Sequence, residues 1–304
     1  MKMTAKQGSK LNWSEFIITR LVVASGYSAI LFVGLIFFFL LREGLPALWQ
    51  VPLNSLLGSR WYPTEGHFAI LPLLEGSLVV TLGAAFVAIP FGLGTAIFIA
   101  EVAPRWTREV LKPLVEMLAG LPSVVLGFLG MMILAPFFRR FLDLPTGLTA
   151  FTGSLLLGGI AIPTIVSISE DALDAVPHSY REAALAMGAT QWQTIWKVTL
   201  PAARSGVITA IMLGIGRTIG ETMTVMMVTG NAPVLIKGLS SLFSPVRTMT
   251  ATIAAEMGEV ATGSLHYEVL FLIGIILFLI SMIVNVTASA VVFRQRKRSE
   301  RILS

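Results

Sequence analysis

An arginine and a glutamate lie inside one of the long apolar segments of this 304-residue chain. Arg217 and Glu221 are four residues apart within residues 205–228, so a continuous helix would place both side chains on one face. Three hydroxyl side chains lie on or beside the same face: Thr218, Thr222 and Thr224. A guanidinium offers a planar fork of donors and each hydroxyl offers one more. The pattern therefore predicts a site that binds an oxyanion.

Two roles for this charged pair are compatible with its apolar surroundings. A charge inside a bilayer costs several kcal/mol and usually faces a cavity or a partner. In the first interpretation the pair lies on the path of an anion, where Glu221 orients Arg217 and prevents the anion from binding too tightly. In the second, the pair joins two spans and touches no substrate. Arg217 lies about 12 residues into its segment, near mid-membrane, which favours the first role.

Composition shows what kind of scaffold holds these residues. The chain is 55% hydrophobic and 13% charged, with a mean hydropathy of +0.81. A water-soluble domain cannot bury so much apolar surface, so we expect an all-α integral membrane protein. The sequence has no cysteine, which excludes disulfides and thiolate chemistry. Its three histidines are far apart and show no metal-ligand spacing, so we expect no metal site.

Six apolar segments are long enough to cross a bilayer, which requires about 20 residues. They are residues 21–41, 76–100, 114–138, 151–169, 205–228 and 269–293. The first follows a basic N-terminus, as a signal peptide would. Its apolar stretch is longer than that of a signal peptide and no A-x-A site follows, so we predict a retained span.

The distribution of basic residues predicts the orientation. Fifteen of the 22 lysines and arginines fall at the termini and in alternate loops, six fall in the other loops, and Arg217 lies within a span. The excess places both termini and the loop 171–204 in the cytoplasm. We interpret the last residues, 294–304, as a basic cytoplasmic tail rather than a nucleic-acid patch.

The loop 171–204 carries a spaced pattern of the form E-A-A, a later glycine, then I-x-x-x-x-L-P. Its members are Glu182, Ala183, Ala184, Gly188, Ile195, Leu200 and Pro201. Ser179 followed by Glu182 predicts a capping box, Gly188 predicts a sharp turn and Pro201 limits the second helix. This pattern resembles the EAA loop of ABC-importer permeases, with which a membrane subunit rests on a separate ATPase.

An apolar stripe follows the glycine of this loop. Trp192, Ile195 and Trp196 are spaced i, i+3 and i+4, which predicts a helix face that fits a groove on a partner. The alternative is an interfacial amphipathic helix anchored in the membrane by tryptophan. The complete spacing on the cytoplasmic side favours the partner.

Further stretches extend the resemblance over nearly the whole chain. They are W-Y-P at 61–63, G-H-F at 66–68, residues 118–125, R-T-I-G-E-T at 217–222, G-N-A-P at 230–233, E-M-G-E at 256–259 and H-Y at 266–267. They resemble the PstC group of permeases from bacterial phosphate importers, within the MetI-like, binding-protein-dependent transport permease family. Ser77 stands where that group usually has threonine; both residues carry a hydroxyl.

The resemblance implies a type I ABC-importer transmembrane domain in the bacterial inner membrane. It implies a heterodimer with the sister permease PstA, coupled to a PstB ATPase dimer and to the periplasmic phosphate-binding protein PstS. ATP and Mg would be used by the ATPase, and this chain, which has no G-x-x-x-x-G-K-[ST] motif, would hold no cofactor and do no covalent chemistry.

We therefore expect four regions along the chain. They are an N-terminal segment 1–20, a first span and periplasmic loop 21–68, a permease core 69–293 and the tail 294–304. In the long loop 229–266, apolar residues from Met249 to Val260 predict a short helix. It would gate the path, meet the binding protein or simply cover the surface.

Three other functions compete with phosphate import. A permease for molybdate, sulfate or a phosphonate would share the E-A-A loop but lack the Arg217 and Glu221 arrangement. An ion-driven secondary transporter would show internal repeats, and the sequence shows none. A membrane enzyme would need a nucleophile with a base, or a metal cluster, and the sequence has no such pattern.

Overall fold

The computed structural model describes the backbone of residues 13–303 and the side chains of 16–290 other than Leu239 and Ala288. The first twelve positions, whose lysines contribute to the predicted orientation, lie outside the described residues. The side chains of the tail 294–304 lie outside them as well. Within the described part, the chain is mostly helical, which agrees with the predicted all-α class.

The described elements are fifteen α-helices and one two-stranded hairpin. The helices are α1 (Trp13–Gly44), α2 (Ala47–Gln50), α3 (Leu53–Leu56), α4 (Leu71–Ile97), α5 (Arg105–Ala119), α6 (Ser123–Leu129), α7 (Ala135–Phe141), α8 (Ala150–Asp174), α9 (His178–Ala186), α10 (Gln191–Thr194), α11 (Leu200–Ala202), α12 (Arg204–Gly220), α13 (Met223–Val228), α14 (Met249–Glu256) and α15 (Leu265–Leu303). Strands β1 (Trp61–Tyr62) and β2 (His67–Phe68) pair antiparallel. Wider π-helical turns at Phe98–Val102, Gly130–Leu134 and Ile195–Thr199 extend or join helices, and 3-10 turns occur at Pro63–Glu65 and Leu239–Phe243.

Five helical segments of the described chain are long and apolar enough to cross a membrane. They are Phe16–Gln50, Leu71–Val102, Ser123–Phe141, Ala150–Asp174 and Leu265–Thr287. The pair Gln191–Ala202 and Arg204–Gly220 is bent by 74° and supplies a sixth span if the two are counted together. Five of the six predicted spans thus have a counterpart at the same place in the structure. The remaining predicted span, 205–228, corresponds to the second helix of the bent pair.

Two of the predicted boundaries are wrong. The third span does not begin at residue 114, because α5 ends at Ala119 and a separate helix starts after Pro122. Proline disfavours a helical conformation in the residue before it, which separates the amphipathic α5 from the span. The fifth span is not continuous through residue 228, because Glu221 is extended, with φ −69° and ψ 128°.

The core forms where α8 lies between α4 and α12. Small residues allow the close approach, as is common in membrane helices. A Cβ added at Gly92 of α4 or at Gly214 of α12 would come within 2.8 or 2.5 Å of the buried Ile165 of α8. The most buried span is therefore α8, and α1 exposes most of its apolar side chains.

The loops near the start of α4 are joined at one carboxylate, Glu256. Its Oε1 forms an ion pair with Nη1 of Arg247, at 2.7 Å, and accepts a hydrogen bond from Nε1 of Trp61 at 3.1 Å. Its Oε2 is 2.8 Å from Nε2 of His266. The W-Y-P, E-M-G-E and H-Y stretches, which are distant in sequence, thus meet in one cluster.

The short helix predicted in the loop 229–266 is present as α14. Thr248 caps it, since its Oγ1 accepts a hydrogen bond from the amide of Ala251 at 3.2 Å. The amide of Met249 donates to Oγ of Ser77 at 2.8 Å, which attaches this helix to α4. The hydroxyl that Ser77 shares with threonine is therefore used in the fold.

Candidate functional site

The predicted ion pair between Arg217 and Glu221 is absent from the described structure. The helix ends at Gly220, so the two residues no longer share a helical face. Oε1 of Glu221 instead accepts a hydrogen bond from the amide of Thr224 at 3.1 Å, and its backbone carbonyl accepts one from Thr250 at 3.0 Å. Glu221 therefore stabilises the break in the helix and the start of α13.

Arg217 joins three helices at an exposed position. Its Nη1 donates to Oγ1 of Thr164 in α8 at 3.1 Å, and its Nη2 donates to the carbonyl of Ala119 at the end of α5 at 3.3 Å. Among the described residues, no carboxylate lies within 4 Å of the guanidinium. A guanidinium has five N–H donors, so these two bonds leave donors free for an anion.

The predicted hydroxyls do not form one open group around Arg217. Thr218 and Thr224 are buried, and their hydroxyls donate to the backbone carbonyls of Ile215 and Ser123 at 2.7 and 3.1 Å. Thr222 is half-buried and donates to the carbonyl of Gly220. The structure corrects the predicted set: Thr164 is the hydroxyl that touches Arg217.

The sequence contains a weak signal for Thr164. This residue follows Pro163 in the middle of an apolar span, where a single threonine does not by itself indicate a binding site. It lies 53 positions from Arg217 in the chain, so only the packing of α8 against α12 brings them together.

The loop 171–204 forms two short helices around a glycine turn. The predicted capping box at Ser179 and Glu182 is wrong, because α9 begins after Pro177 without a side-chain cap. A capping box does form in the second helix, between Thr190 and Gln193. Gly188 adopts φ +84°, a left-handed conformation that favours glycine, and this confirms the predicted turn.

Two of the three residues of the predicted apolar stripe are exposed. The side chains of Trp192 and Trp196 pack edge to face with ring centroids 5.8 Å apart, and 60% and 49% of these residues is exposed. Ile195 is only 1% exposed and belongs to the core beneath them, so its predicted contact with a partner is wrong. A π-helical turn at Ile195–Thr199 alters the helical periodicity at this place. We call Trp192 and Trp196 the tryptophan face.

The other members of the E-A-A pattern frame this face. Glu182 and Ala183 are exposed on α9, Ala184 is half-buried beside them, and Pro201 is exposed near the bend before α12. Leu200 packs against the core, as Ile195 does. The pattern therefore supplies both an exposed surface and its internal support.

Ion pairs that the sequence did not reveal attach this loop to the spans. Nη2 of Arg181 is 2.7 Å from Oε1 of Glu101, and both side chains are largely buried. In the sequence, Glu101 directly follows the predicted span 76–100. The carboxylate and the guanidinium are 80 residues apart, and no local pattern links them.

A second group of charges lies between α5 and the end of α8. Nζ of Lys112 is 2.5 Å from Oε2 of Glu170 and 3.0 Å from Oδ1 of Asp171, and Glu170 is buried. The hydrogen bond to Glu170 is the largest of the effects that raise the pKa of Lys112 above its usual value, so this lysine is charged at all physiological pH values. Arg108 pairs with Asp174 and donates to the carbonyls of residues 99 and 100.

Residues 88–298 match the protein family described as "Binding-protein-dependent transport system inner membrane component". The chain belongs to this family. It is therefore a multi-pass inner-membrane component of an importer that depends on a binding protein, and its family is one of transport permeases rather than of enzymes. The family resemblance noted in the sequence is confirmed.

Individual relatives extend over most of the chain. It is 41% identical over 234 residues to the "Probable ABC transporter permease protein YqgH" of Bacillus subtilis, covering 76% of this chain and 75% of that protein. It is 37% identical over 261 residues to the "Phosphate transport system permease protein PstC" of Pasteurella multocida, covering 79% and 80%. The PstC protein of Mesorhizobium japonicum is 33% identical over 293 residues, covering 90% and 86%.

Solved structures share the fold. One is a bacterial ABC transporter involved in the import of alginate, with a TM-score of 0.61 at 15% identity, covering 93% of this chain and 98% of that chain. Another is an inward-facing MetNI methionine ABC transporter, with a TM-score of 0.59 at 18% identity, covering 78% and 99%. These likenesses confirm the predicted MetI-like fold.

Proposed function

We propose that this chain is a permease subunit of an ATP-driven importer of inorganic phosphate. The PstC relatives, which are named as phosphate transport permeases and align over most of both chains, support the substrate. In this proposal the chain forms the translocation path together with a sister permease of the PstA type. It is not an enzyme: it binds no cofactor and leaves ATP and Mg to its partner.

The observation that carries the proposal is the incompletely paired guanidinium of Arg217. An arginine on an exposed face of a membrane-spanning bundle cannot face lipid without a large cost, so it must face a water-filled path or another subunit. Its free N–H donors suit the oxygens of phosphate, and guanidinium and phosphate form charge-assisted, often bidentate hydrogen bonds. Thr164 and the carbonyl of Ala119 hold the side chain in place, and the remaining N–H donors of the exposed guanidinium are left for an anion.

Glu221, Thr218, Thr222 and Thr224 remain part of the proposed path through their backbone roles. They shape the break between α12 and α13, which begins at Glu221, four residues after Arg217. An interrupted span is tolerated in a bilayer where it lines a cavity or is covered by protein. We propose that the path runs beside this break.

We propose that the tryptophan face and the exposed Glu182 and Ala183 meet a PstB-type ATPase. Exposed tryptophans near the centre of a surface are frequent anchors of protein interfaces. The excess of basic residues in this loop and at both chain termini supports a cytoplasmic position for them, on the side of the ATPase. The loops on the opposite side would then receive a PstS-type binding protein. The proposed regions of the chain remain 1–20, 21–68, 69–293 and 294–304.

Uptake by the reconstituted four-component complex tests this function. Vesicles with ATP inside are given radiolabelled phosphate, and competing sulfate, molybdate or a phosphonate is added in excess. We expect ATP-dependent uptake of phosphate that the other oxyanions leave nearly unchanged. Uptake of another oxyanion in place of phosphate would contradict the substrate, and the family assignment would remain.

A further inference from the structure

The two helices of the loop 171–204 are bonded to the same residue of the second span. Arg181 of α9 pairs through its side chain with the carboxylate of Glu101. Gln191 of α10 donates from its Nε2 to the backbone carbonyl of Glu101 at 3.0 Å. Glu101 lies in the π-helical turn that ends the span Leu71–Val102. The loop is therefore attached at one point to the end of a span that packs along α8.

The attachment through Arg181 uses all three nitrogens of its guanidinium. Nε is 3.2 Å from both carboxylate oxygens of Glu101, and Nη2 is 2.7 Å from Oε1. Nη1 donates to the carbonyl of Val176 at 2.6 Å, and Nη2 donates to that of Leu173 at 2.9 Å. These carbonyls lie at the C-terminal end of α8, where a cation is favourable.

Burial makes this contact stiff. The side chains of Arg181 and Glu101 are 15% and 7% exposed. Separating them would leave the buried carboxylate of Glu101 without its cation and Arg181 with backbone carbonyls alone, which is costly. The contact thus resists opening when the loop is displaced, and α9 moves together with the ends of α4 and α8.

We infer that the ion pair between Arg181 and Glu101 is a rigid tie through which movement of the loop 171–204 displaces the second span. Arg181 is then a positioning residue for transport, placed directly before the exposed Glu182. This inference rests on the proposed function, because it assumes that the loop receives the movement of an ATPase. It goes further by naming the contact that carries this movement into the membrane.

Mutation of the tie separates positioning from simple stabilisation. In the reconstituted complex, we compare Arg181→Ala, Arg181→Lys and Glu101→Gln with wild type, and use Arg105→Ala as the control. Arg105 is an exposed cation of α5 that forms no ion pair with the described residues. The readouts are phosphate imported per ATP hydrolysed, and the stimulation of ATPase activity by the binding protein, each per assembled complex.

The tie predicts uncoupling without loss of assembly. Arg181→Ala and Glu101→Gln lower the ratio of import to hydrolysis by about fivefold or more, the lower range of coupling between two sites. Arg181→Lys keeps the charge and recovers part of the ratio, and Arg105→Ala leaves it unchanged. An unchanged ratio in Arg181→Ala and Glu101→Gln complexes would overturn the inference.

A covalent link provides a second test. Because the chain has no cysteine, Glu101→Cys with Arg181→Cys introduces one addressable pair. We expect the reduced double variant to be uncoupled and a short bifunctional thiol reagent to restore both readouts. Normal coupling in the reduced variant, or no recovery after cross-linking, would contradict a rigid tie. If the wild-type complex responds to the binding protein but imports no phosphate, the proposed substrate fails, and the ATPase readout still decides on the tie.

Discussion

Replacing Glu256 by glutamine should loosen α14 without unfolding the chain. Glu256 forms an ion pair with Arg247 at 2.7 Å, accepts a hydrogen bond from Trp61 at 3.1 Å and lies within hydrogen-bond distance, 2.8 Å, of His266. Glutamine keeps one accepting oxygen but presents an NH2 group where the other stood, so it must face at least one donor. The helix between Glu256 and Thr248 then loses its strongest attachment to the neighbouring loops.

The size of the effect follows from the kind of bond that is lost. A hydrogen bond to a charged group contributes about 1.5–3 kcal/mol, and a neutral one about 1 kcal/mol. Because the carboxylate is 17% exposed, we expect its replacement to cost about 2 kcal/mol, in the lower half of the range for a charged group. Since 1.4 kcal/mol is a factor of ten, local opening of α14 becomes about thirty times more frequent.

Hydrogen exchange of the assembled complex measures this opening. Amides of α14 should exchange about thirtyfold faster in Glu256→Gln and about tenfold faster in Trp61→Phe, which removes one donor to the charged carboxylate and so about 1.5 kcal/mol. Glu259→Gln is the matched control, since this second glutamate of E-M-G-E is exposed and its side chain has no partner among the described residues. Equal exchange in Glu256→Gln and Glu259→Gln would refute the attachment.

Four further predictions concern other parts of the chain. Trp192→Ala should weaken binding of the ATPase by about thirtyfold, about 2 kcal/mol, in a titration of the permease pair. Ile195→Ala should instead lower thermal stability, by about 2–5 kcal/mol, because this side chain fills the core. Lys112→Met should cost about 3 kcal/mol by leaving the buried Glu170 unpaired, and adding Glu170→Leu should restore most of the thermal midpoint. Gly188→Ala should cost about 1 kcal/mol because of its left-handed backbone, and Gly188→Asn less, in the same thermal assay. Equal thermal midpoints for Lys112→Met alone and for Lys112→Met with Glu170→Leu would contradict the argument from the unpaired carboxylate. Equal midpoints for Gly188→Ala and Gly188→Asn would contradict the argument from the left-handed backbone.

The spans were predictable because bilayer thickness requires long apolar segments. The E-A-A loop was predictable because its glycine, tryptophans and proline each have a local effect on the chain. Gly188, for example, adopts the left-handed conformation that its position in the pattern implied. The family assignment followed from these local patterns.

The break at Glu221 was not predictable, since residues 205–228 form an apolar run with no proline. Contacts from distant parts of the fold stabilise it, including the hydrogen bond from Thr250 to the carbonyl of Glu221. The burial of Ile195 has a similar origin, because spacing alone does not show which side of a short helix meets the core. The partners Thr164 and Glu101 lie 53 and 80 residues from their arginines, beyond any local pattern.

Phosphate uptake by Arg217 variants tests the central claim most directly. Wild type, Arg217→Ala and Arg217→Lys are compared in vesicles that hold the four-component complex, with ATPase activity and assembly measured in parallel. We expect Arg217→Ala to lower uptake by about 30- to 150-fold, as the loss of about 2–3 kcal/mol of charge-assisted bonding requires, while ATPase activity and assembly persist. Arg217→Lys should retain part of the uptake, since it keeps the charge without the planar fork. Unchanged uptake in Arg217→Ala, or failure of that variant to assemble, would contradict a place for Arg217 on the anion path.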